Sequence, residues 1–368
     1  MSIRTKFRER KLWQKCLILI LCLIMLLAFS FAAFICYLTL TEFNPDKEIS
    51  LKISGGANLK KLDKSKELSI VTWNIGYGGL ASDADFFMDG GKMVQTTTEK
   101  ALKSNLDAIA SNLNSFDADI VLLQEIDKNS KRSFGFDETK FIHDKLLTSK
   151  YQANFAENFK VKYVPYPIPP IGRVDSGIMT LCKNQISEAT RYSLPVPFKW
   201  PQRVANLKRC LSISRLPIDG TSKELVIVNL HLEAYDDGEG KKAQTEILNE
   251  YLQSELKKGN YVIAGGDFNQ TFSGIDASAL KRFEGAWQAS LLHQNEFGPS
   301  WQFMMDNKTA SCRSLDRPLD SLDPNKFQFY IIDGFIVSNN IEVTYMQTQS
   351  LDFEHSDHNP VMMKFKLK

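Results

Sequence analysis

The stretch YVIAGGDFN, residues 261–269, joins a run of apolar residues to a polar cluster. Its apolar half has the length and composition of a buried strand, and Asp267 and Asn269 follow where that strand would end. Other predicted strands also end on a polar residue or carry one: Asn74, Glu125, His231 and Asp333. In addition, Asp357 and His358 directly precede the last apolar run. Each residue alone is typical of a turn or a strand cap. Their recurrence indicates a shared site.

Extended segments outnumber helical ones in this chain. Helical spacing of apolar residues occurs at 97–114 and 239–257. The predicted strands are residues 67–73, 118–124, 176–183, 209–218, 224–233, 261–266, 328–338, 341–348 and 361–367. Many strands with few helices between them predict an α/β fold of stacked sheets flanked by helices, rather than a doubly wound parallel sheet.

The amino-terminal region has the pattern of a membrane span. Residues 16–41, CLILILCLIMLLAFSFAAFICYLTLT, contain no charge and are long enough to cross a bilayer as a helix. Residues 1–15 form a basic tail, which predicts a cytoplasmic amino terminus and an extracellular domain at the cell membrane. A cleaved signal peptide is the alternative, but its apolar region is typically only about 7–15 residues. The length therefore favours a retained single-pass anchor.

The remaining chain divides into two parts. Residues 42–66 are polar and rich in lysine, which predicts a tether between membrane and domain. Residues 67–368 then form the predicted catalytic domain. Six basic residues and one glutamate give the tail a charge of +5, so the formal +2 of the whole chain leaves about −3 for the rest. This balance does not favour a general nucleic-acid binder, which usually has a positive surface.

Cysteine usage does not indicate a disulfide framework. Cys182, Cys210 and Cys312 lie outside the apolar segment, an odd and sparse set. Cys182 and Cys210 lie in or near predicted strands, and the sequence leaves open whether they pair.

Carboxylate and amide oxygens beside imidazoles suit the chemistry of a divalent cation and a phosphate ester. Mg²⁺ prefers oxygen ligands and keeps some of its water. An imidazole becomes cationic near physiological pH, so it can stabilise phosphate charge or protonate a leaving oxygen. The sequence therefore predicts a metal-dependent site that acts on a phosphate ester.

The ordered motifs TWN, LQE, SGI, NLHL, GGDFN, ID and SDHNP resemble those of the endonuclease/exonuclease/phosphatase superfamily, which includes deoxyribonuclease I. The resemblance covers about residues 67–368, and GGDFN and SDHNP are its most specific parts. It implies a four-layer α/β sandwich with two central, mainly antiparallel sheets. It also implies that water attacks phosphorus with the help of Mg²⁺, or Mn²⁺ in its place.

The resemblance also implies individual roles. Asn74 and Glu125 would hold the metal, with Asp357 nearby. Asp267 would orient or deprotonate the water, and Asn269 would fix the phosphate or a second ion. His231 and His358 would be the catalytic histidines, and Asp333 would hold the ring of His358.

Two features of the chain bear on the substrate. The anchor and two proline-rich aromatic stretches, 162–173 and 195–203, favour a phospholipid or a small phosphodiester. Ordered loops packed on the sandwich are the other interpretation of those stretches. Lys131, Arg132 and Arg173 are candidate phosphate contacts. An extracellular nuclease acting on nucleic acid and an inactive binding module are the alternative functions.

Overall fold

The computed structural model describes residues 11–146, 150–236, 238–277, 280–319, 323 and 326–368. Most of the predicted basic tail, residues 1–10, lies outside the described residues. The described α-helices are α1 (Leu12–Leu40), α2 (Glu99–Phe116), α3 (Glu138–Lys145) and α4 (Glu239–Lys257). The described strands are β1 (Glu48–Ser50), β2 (Ser54–Gly55), β3 (Leu68–Asn74), β4 (Ile120–Asp127), β5 (Gln152–Val164), β6 (Gly172–Cys182), β7 (Glu188–Ser193), β8 (Cys210–Pro217), β9 (Glu224–His231), β10 (Tyr261–Asp267), β11 (Gln270–Phe272), β12 (Ser290–Leu292), β13 (Trp301–Met304), β14 (Cys312–Arg313), β15 (Phe329–Tyr330), β16 (Asp333–Ser338), β17 (Ile341–Thr348) and β18 (Val361–Leu367).

Two mixed sheets form the centre of the fold. Within the described chain, the first sheet has the strand order β1-β7-β8-β9-β10-β16-β13, and the second has the order β17-β18-β3-β4-β6-β5-β2. Strands β9 and β10 run parallel in the first sheet, as do β3 and β4 in the second. The other neighbouring pairs of these sheets are antiparallel, which confirms the predicted architecture.

Three apolar clusters define the four layers. Between the sheets, Ile70 and Leu122 of one sheet pack in a cluster with Ile263 of the other. Helix α4 covers the outer face of the first sheet, where Leu248 joins a second cluster. Helix α2 covers the outer face of the second sheet through Leu102 and its neighbours. Burial of both faces of each sheet explains why the strands are nearly continuous apolar runs.

The ends and the buried face of helix α2 follow from its local sequence. The side chain of Thr98 accepts a hydrogen bond from the backbone N–H of Ala101 at 3.0 Å, which caps the helix. Apolar residues at helical spacing then face the second sheet. The helix ends at Asp117, which has a left-handed backbone with φ 45°.

The segment 42–66 differs from the predicted tether. Strand β1 pairs with β7 at the edge of the first sheet, and β2 pairs with β5 at the edge of the second. The side chain of Leu62 is completely buried. The segment therefore belongs to the sandwich. Its apolar residues are few and separated by exposed polar ones, as is common in short edge strands, so the sequence pattern did not indicate strands.

The cysteines outside α1 do not form a disulfide. Cys182, Cys210 and Cys312 are all buried and free. Each packs as a small apolar side chain, which is common for buried cysteine.

Candidate active site

Three neighbouring strands of the first sheet bring polar side chains to one level. Asp267 at the end of β10 lies opposite His231 of β9 and opposite Asp333 of β16. Gly266 precedes Asp267, and a Cβ added there would lie 1.9 Å from the carbonyl oxygen of Leu230. The second glycine of GGDFN is therefore needed for the close approach of β9 and β10.

The second sheet contributes Asn74 and Glu125 from the ends of β3 and β4. Glu125 has φ 49° and lies where the pairing of β4 with β6 shifts register, so a β-bulge aims its side chain. The side-chain Nδ2 of Asn74 donates to Glu125 Oε1 at 3.3 Å and to Asp267 Oδ2 at 3.1 Å. Asn74 thus joins the acidic groups of the two sheets.

The SDHNP loop closes the cluster from the carboxyl-terminal side. The hydroxyl of Ser356 donates to the carbonyl oxygen of Asn74 at 2.8 Å, and the indole of Trp73 donates to the carbonyl oxygen of His358 at 2.8 Å. These bonds fix the loop to the end of β3. Asp357 and His358 are both nearly completely buried beside the strand ends.

A carboxylate orients the ring of His358. Its Nδ1 lies 2.8 Å from Oδ2 of Asp333, and the hydroxyl of Ser311 donates to the same oxygen at 2.7 Å. A carboxylate acceptor favours the tautomer with a proton on Nδ1. The other ring nitrogen of His358, Nε2, lies 3.8 Å from Oδ2 of Asp267.

The two histidines experience opposite electrostatic environments. Burial lowers the pKa of His358, but the carboxylate of Asp333, with Cys312 and Asp357, outweighs burial and holds that pKa well above its ordinary value. Burial and the positive charge of Arg209 hold the pKa of His231 well below its ordinary value. At neutral pH the geometry therefore favours a cationic His358 and a neutral His231.

The buried acids also influence one another. Burial, together with the charge of Asp333, raises the pKa of Asp267 to about 7. Burial raises the pKa of Asp357 to about 6, and the charge of Glu125 adds to this effect. Crowded carboxylates of this kind are a natural environment for a cation, which would favour their charged forms.

The donor set fits a hard divalent ion. Glu125 and Asp357 offer carboxylate oxygens, and the neighbouring Asn74 is held by a bond from the backbone N–H of Gly76 to its amide oxygen at 3.0 Å. Oxygen ligands of this type suit Mg²⁺ or Mn²⁺. Ligand atoms of Asp267, Asp333 and His358 also lie within 4.8 Å of one another.

Asn269 is placed to orient Asp267. It has φ 51°, its backbone N–H donates to Asp267 Oδ1 at 2.9 Å, and its side chain donates to the carbonyl oxygen of Leu232 at 2.9 Å. The structure therefore brings all eight predicted site residues together: Asn74, Glu125, His231, Asp267, Asn269, Asp333, Asp357 and His358.

The three basic residues expected to contact phosphate have other partners. Arg132 is buried and binds both oxygens of Asp127, at 3.0 and 2.9 Å. The Nζ of Lys131 donates to the carbonyl oxygen of Pro170, and Arg173 donates to Asn129. Each of these groups therefore has a partner within the protein, and their contact with phosphate stays a prediction.

Sequence reasoning did not identify Tyr77, Arg209 or Cys312 beside the site, nor the contacts that Arg132 makes there. The guanidinium of Arg132 lies 3.8 Å from the centre of the Tyr77 ring, and its Nη1 lies 4.0 Å from Glu125 Oε2. Nη1 of Arg209 donates to the carbonyl oxygen of His231 at 3.3 Å. Cys312 pairs with His358 in an isolated β-bridge. Only the three-dimensional arrangement connects these residues with the site, because none belongs to a recognisable motif.

Comparisons with known proteins agree with this fold. Residues 71–358 match the model of the Endonuclease/Exonuclease/phosphatase family. No curated protein sequence matches the chain. The structure is similar to an endonuclease/exonuclease/phosphatase from Beutenbergia cavernae, with a TM-score of 0.56 and 18% identity over 82% of this chain and 72% of that one.

Two further structures show the same likeness. A protein from Bacteroides vulgatus has a TM-score of 0.52 and 14% identity over 83% of this chain and 100% of that one. One from Bacteroides thetaiotaomicron has a TM-score of 0.51 and 16% identity over 82% of this chain and 98% of that one. Such identities establish a shared fold, while the family match covers most of the chain. This chain therefore belongs to the endonuclease/exonuclease/phosphatase family.

Proposed function

We propose that this chain is a membrane-anchored phosphoesterase that requires Mg²⁺, or Mn²⁺ in its place, and hydrolyses a phospholipid or a small phosphodiester. The observation that carries the proposal is the placement of two imidazoles around one buried carboxylate. Nε2 of His231 lies 3.4 Å from Asp267 Oδ2, and Nε2 of His358 lies 3.8 Å from the same atom. This arrangement can position water and a phosphate group together.

The metal would lie beside the second sheet and the SDHNP loop. Glu125, Asp357 and the amide oxygen of Asn74 would hold it, and Nδ2 of Asn74 would keep Glu125 and Asp267 in place. When bound, such an ion supplies positive charge that draws electrons from the reacting P–O bond.

The protein groups would carry the proton and the phosphate charge. Asp267, held by the backbone N–H of Asn269, would accept a proton from the attacking water. A cationic His358, supported by Asp333, would stabilise the negative charge on the phosphate. A neutral His231 would donate a hydrogen bond to a phosphate or leaving oxygen.

Replacement of these groups tests the proposal in the full chain in detergent micelles. We expect Asp267→Asn and His231→Ala each to lower kcat for bis-p-nitrophenyl phosphate by about 10²–10⁴-fold, the usual contribution of a positioned acid or base. Excess EDTA should abolish activity, and added Mg²⁺ should restore it.

Matched substitutions control for general damage. Asp219→Asn and His293→Ala change exposed residues of the same types and should leave kcat unaltered. Full activity in Asp267→Asn or His231→Ala would remove the role assigned to that residue. Preferred hydrolysis of DNA or RNA, with a steep loss of affinity in added salt, would favour a nuclease instead.

The apolar helix supports the proposed location. An 18-residue window of α1 has none of its residues buried within the protein. A helix whose exposed surface is mainly apolar is stable in a bilayer, and the 29 residues of α1 would reach about 44 Å.

Fractionation of cells that express the full chain tests the anchor and its orientation. We expect the protein to remain in membranes after sodium carbonate extraction, and protease added outside intact cells to digest the domain. Release of a shortened protein into the medium would indicate a cleaved signal peptide. Protection from external protease would contradict the proposed orientation.

A further inference from the structure

The chain enters the domain at the same end of the sandwich as the active site. Glu48, the first residue of β1, pairs with Tyr192 of β7. Tyr192 pairs with Leu211 of β8, and Leu211 pairs with Leu230, the residue before His231. Because paired residues lie side by side across a sheet, the end of β1 nearest to α1 lies level with His231. The proposed anchor therefore leads directly to the active-site end.

Side-chain contacts fix α1 to this end. Nε1 of Trp200 donates to Thr39 Oγ1 at 3.1 Å. The carboxylate of Glu42, just beyond the helix, lies 3.1 Å from both Arg203 Nε and Lys208 Nζ. The side chains of Glu42 and Lys208 are only 8% and 7% exposed, so their ion pair is shielded from water. These contacts set the direction of the helix relative to the cleft.

Two proline-rich loops extend from the same end. Residues 165–171 join β5 to β6, and β6 pairs with β4 beside Glu125. Residues 194–209 join β7 to β8, whose first residues lie level with the end of β9. The loops expose Tyr166 by 68%, Ile168 by 93% and Trp200 by 59%. Apolar side chains this exposed on neighbouring loops are typical of an interaction surface.

Ring contacts connect these loops with the wall of the cleft. The ring of Tyr166 lies 5.7 Å from that of Phe87, which is followed by the half-exposed Met88. The hydroxyl of Tyr235, four residues after His231, donates to Asp89 Oδ1 at 2.9 Å. The contacts of Phe34 with Tyr163, of Tyr166 with Phe87 and of Asp89 with Tyr235 therefore link α1 to the mouth of the site. We name the loops 86–91, 162–173 and 195–203 the mouth rim.

The chemistry of the mouth rim matches a lipid headgroup region. Aromatic residues such as Tyr166 and Trp200 are enriched where bilayer and water meet. The loops 162–173 and 195–203 contain four basic residues and no acidic one: Lys162, Arg173, Lys199 and Arg203. Of these, Arg203 pairs with Glu42 and Arg173 donates to Asn129, and the loop 86–91 adds the single acid Asp89. Basic residues beside exposed apolar side chains attract anionic lipid surfaces.

We propose that the mouth rim rests in the headgroup region of the bilayer that α1 crosses, so that the cleft opens toward phosphates in that bilayer. This inference rests on the proposed function for its substrate and on the proposed anchor for its location. A hydrocarbon core of about 30 Å needs only about 20 helical residues. A span that begins after Lys15 then ends near residue 35, so Thr39, which contacts Trp200, lies at headgroup level and Phe34, which contacts Tyr163, lies at its border with the hydrocarbon.

A fluorescence experiment tests the contact without reference to activity. The full chain with Ile168→Trp is reconstituted in vesicles of phosphatidylcholine and phosphatidylglycerol, with or without bromine on the acyl chains near the headgroups. We expect brominated lipid to quench at least half of the fluorescence that this substitution adds to the parent protein. Tyr345→Trp is the control, because β17 lies at the opposite edge of the second sheet from β5. Equal quenching of the two added tryptophans, or none at Ile168→Trp, would overturn the proposal.

A second experiment tests the consequence for the substrate. The double variant Tyr166→Ser, Ile168→Glu and the control Tyr345→Ser are assayed on vesicle phospholipid and on soluble bis-p-nitrophenyl phosphate. We expect the double variant to hydrolyse vesicle lipid at least tenfold more slowly and the soluble ester at the parental rate.

The two experiments separate the two proposals. If the parent hydrolyses neither substrate, the proposed function fails, and quenching alone decides whether the mouth rim contacts lipid. If the parent is active but the double variant retains full activity on vesicle lipid, the mouth rim has no role in presenting the substrate.

Discussion

His231 and His358 lie on either side of Asp267, yet their neighbours differ. Asp333 accepts from the ring of His358, whereas Arg209 lies behind His231. One imidazole is therefore stabilised as a cation and the other as a neutral ring. The sequence names both histidines through their motifs. Arg209 lies outside the motif around His231, so the lowered pKa of His231 could not be predicted from that motif.

The contacts of Arg132 point to a role besides the predicted phosphate contact. Nε and Nη2 of its guanidinium donate to the two oxygens of Asp127, and its plane covers the ring of Tyr77. It also lies near Glu125, at 4.0 Å. We infer that it positions the bulge that carries Glu125.

Arg132→Lys tests this positioning role. Lysine cannot form the bidentate pair or stack in the same way, so Glu125 should lose its fixed orientation. We expect the Mg²⁺ concentration for half-maximal activity to rise by about 10–100-fold, a typical effect of groups behind a metal ligand. Kinetic titration with Mg²⁺ measures this shift.

Lys131→Arg keeps a cation at the neighbouring position, where Nζ of Lys131 donates to the carbonyl oxygen of Pro170 at 3.3 Å, and should not change the titration. If Arg132→Lys leaves the Mg²⁺ requirement unchanged and alters KM for the ester instead, Arg132 contacts the phosphate and does not position Glu125.

Helices and strands with long apolar patterns were predicted well, whereas short or polar strands were not. The patterns at 97–114 and 239–257 correspond to α2 and α4. The single predicted strand 328–338 is divided between β15 and β16, which belong to different sheets. Strand β5 was not predicted, because polar residues interrupt its buried positions. Tertiary contacts decide such segments.

An ion-pair cluster joins α4 to the first sheet. Arg215 of β8 lies 2.6 Å from Glu255 of α4 and 2.9 Å from Glu224 of β9. Lys258 and Asn260 also donate to Glu255. Burial raises the pKa of Glu255, but bonds from Arg215, Lys258 and Asn260 outweigh it and lower the pKa from 4.5 to about 2.

Glu255→Gln should therefore show a pH-dependent loss of stability. A lowered pKa in the folded protein stabilises it above the unfolded pKa of 4.5, and this stabilisation is lost as the pH falls toward about 2. We expect the variant to be less stable than the parent by about 2–3 kcal/mol at pH 7. The difference should shrink steadily between pH 4.5 and about 2.

Urea unfolding of both proteins at several pH values measures this difference. Glu246→Gln, on the exposed side of α4, is the matched control. Its unfolding free energy should not differ from that of the parent in a pH-dependent way. If the difference in unfolding free energy between the parent and Glu255→Gln stays constant with pH, the charge of Glu255 is not its cause.

On the scale of the whole molecule, the sandwich begins before the predicted boundary at residue 67. Strands β1 and β2 extend both sheets, and Leu62 packs in the cluster between them. Glu42 also pairs with Lys208 of the domain. The folded unit therefore includes residues 42–66.

A comparison of two shortened chains tests this boundary. A chain beginning at residue 66 loses two edge strands and the buried side chain of Leu62, whereas one beginning at residue 42 retains them. We expect the shorter chain to be less stable by at least about 3–5 kcal/mol, the range for loss of a large buried side chain. Urea unfolding measures the difference, and Leu62→Ala in the longer chain should reproduce part of it. Equal unfolding midpoints would show that the segment is a tether after all.

The fold class, the apolar helix and the eight candidate site residues could be predicted from the sequence alone. This was possible because buried strands produce long apolar runs and because GGDFN and SDHNP are specific motifs. Contacts in the folded protein were needed to show that residues 42–66 belong to the sandwich, what surrounds each histidine, and which groups bind Arg132. They were also needed to show that α1 and the mouth rim lie at the active-site end. These features depend on strand register and on contacts between residues far apart in the chain, which no local pattern of residues records.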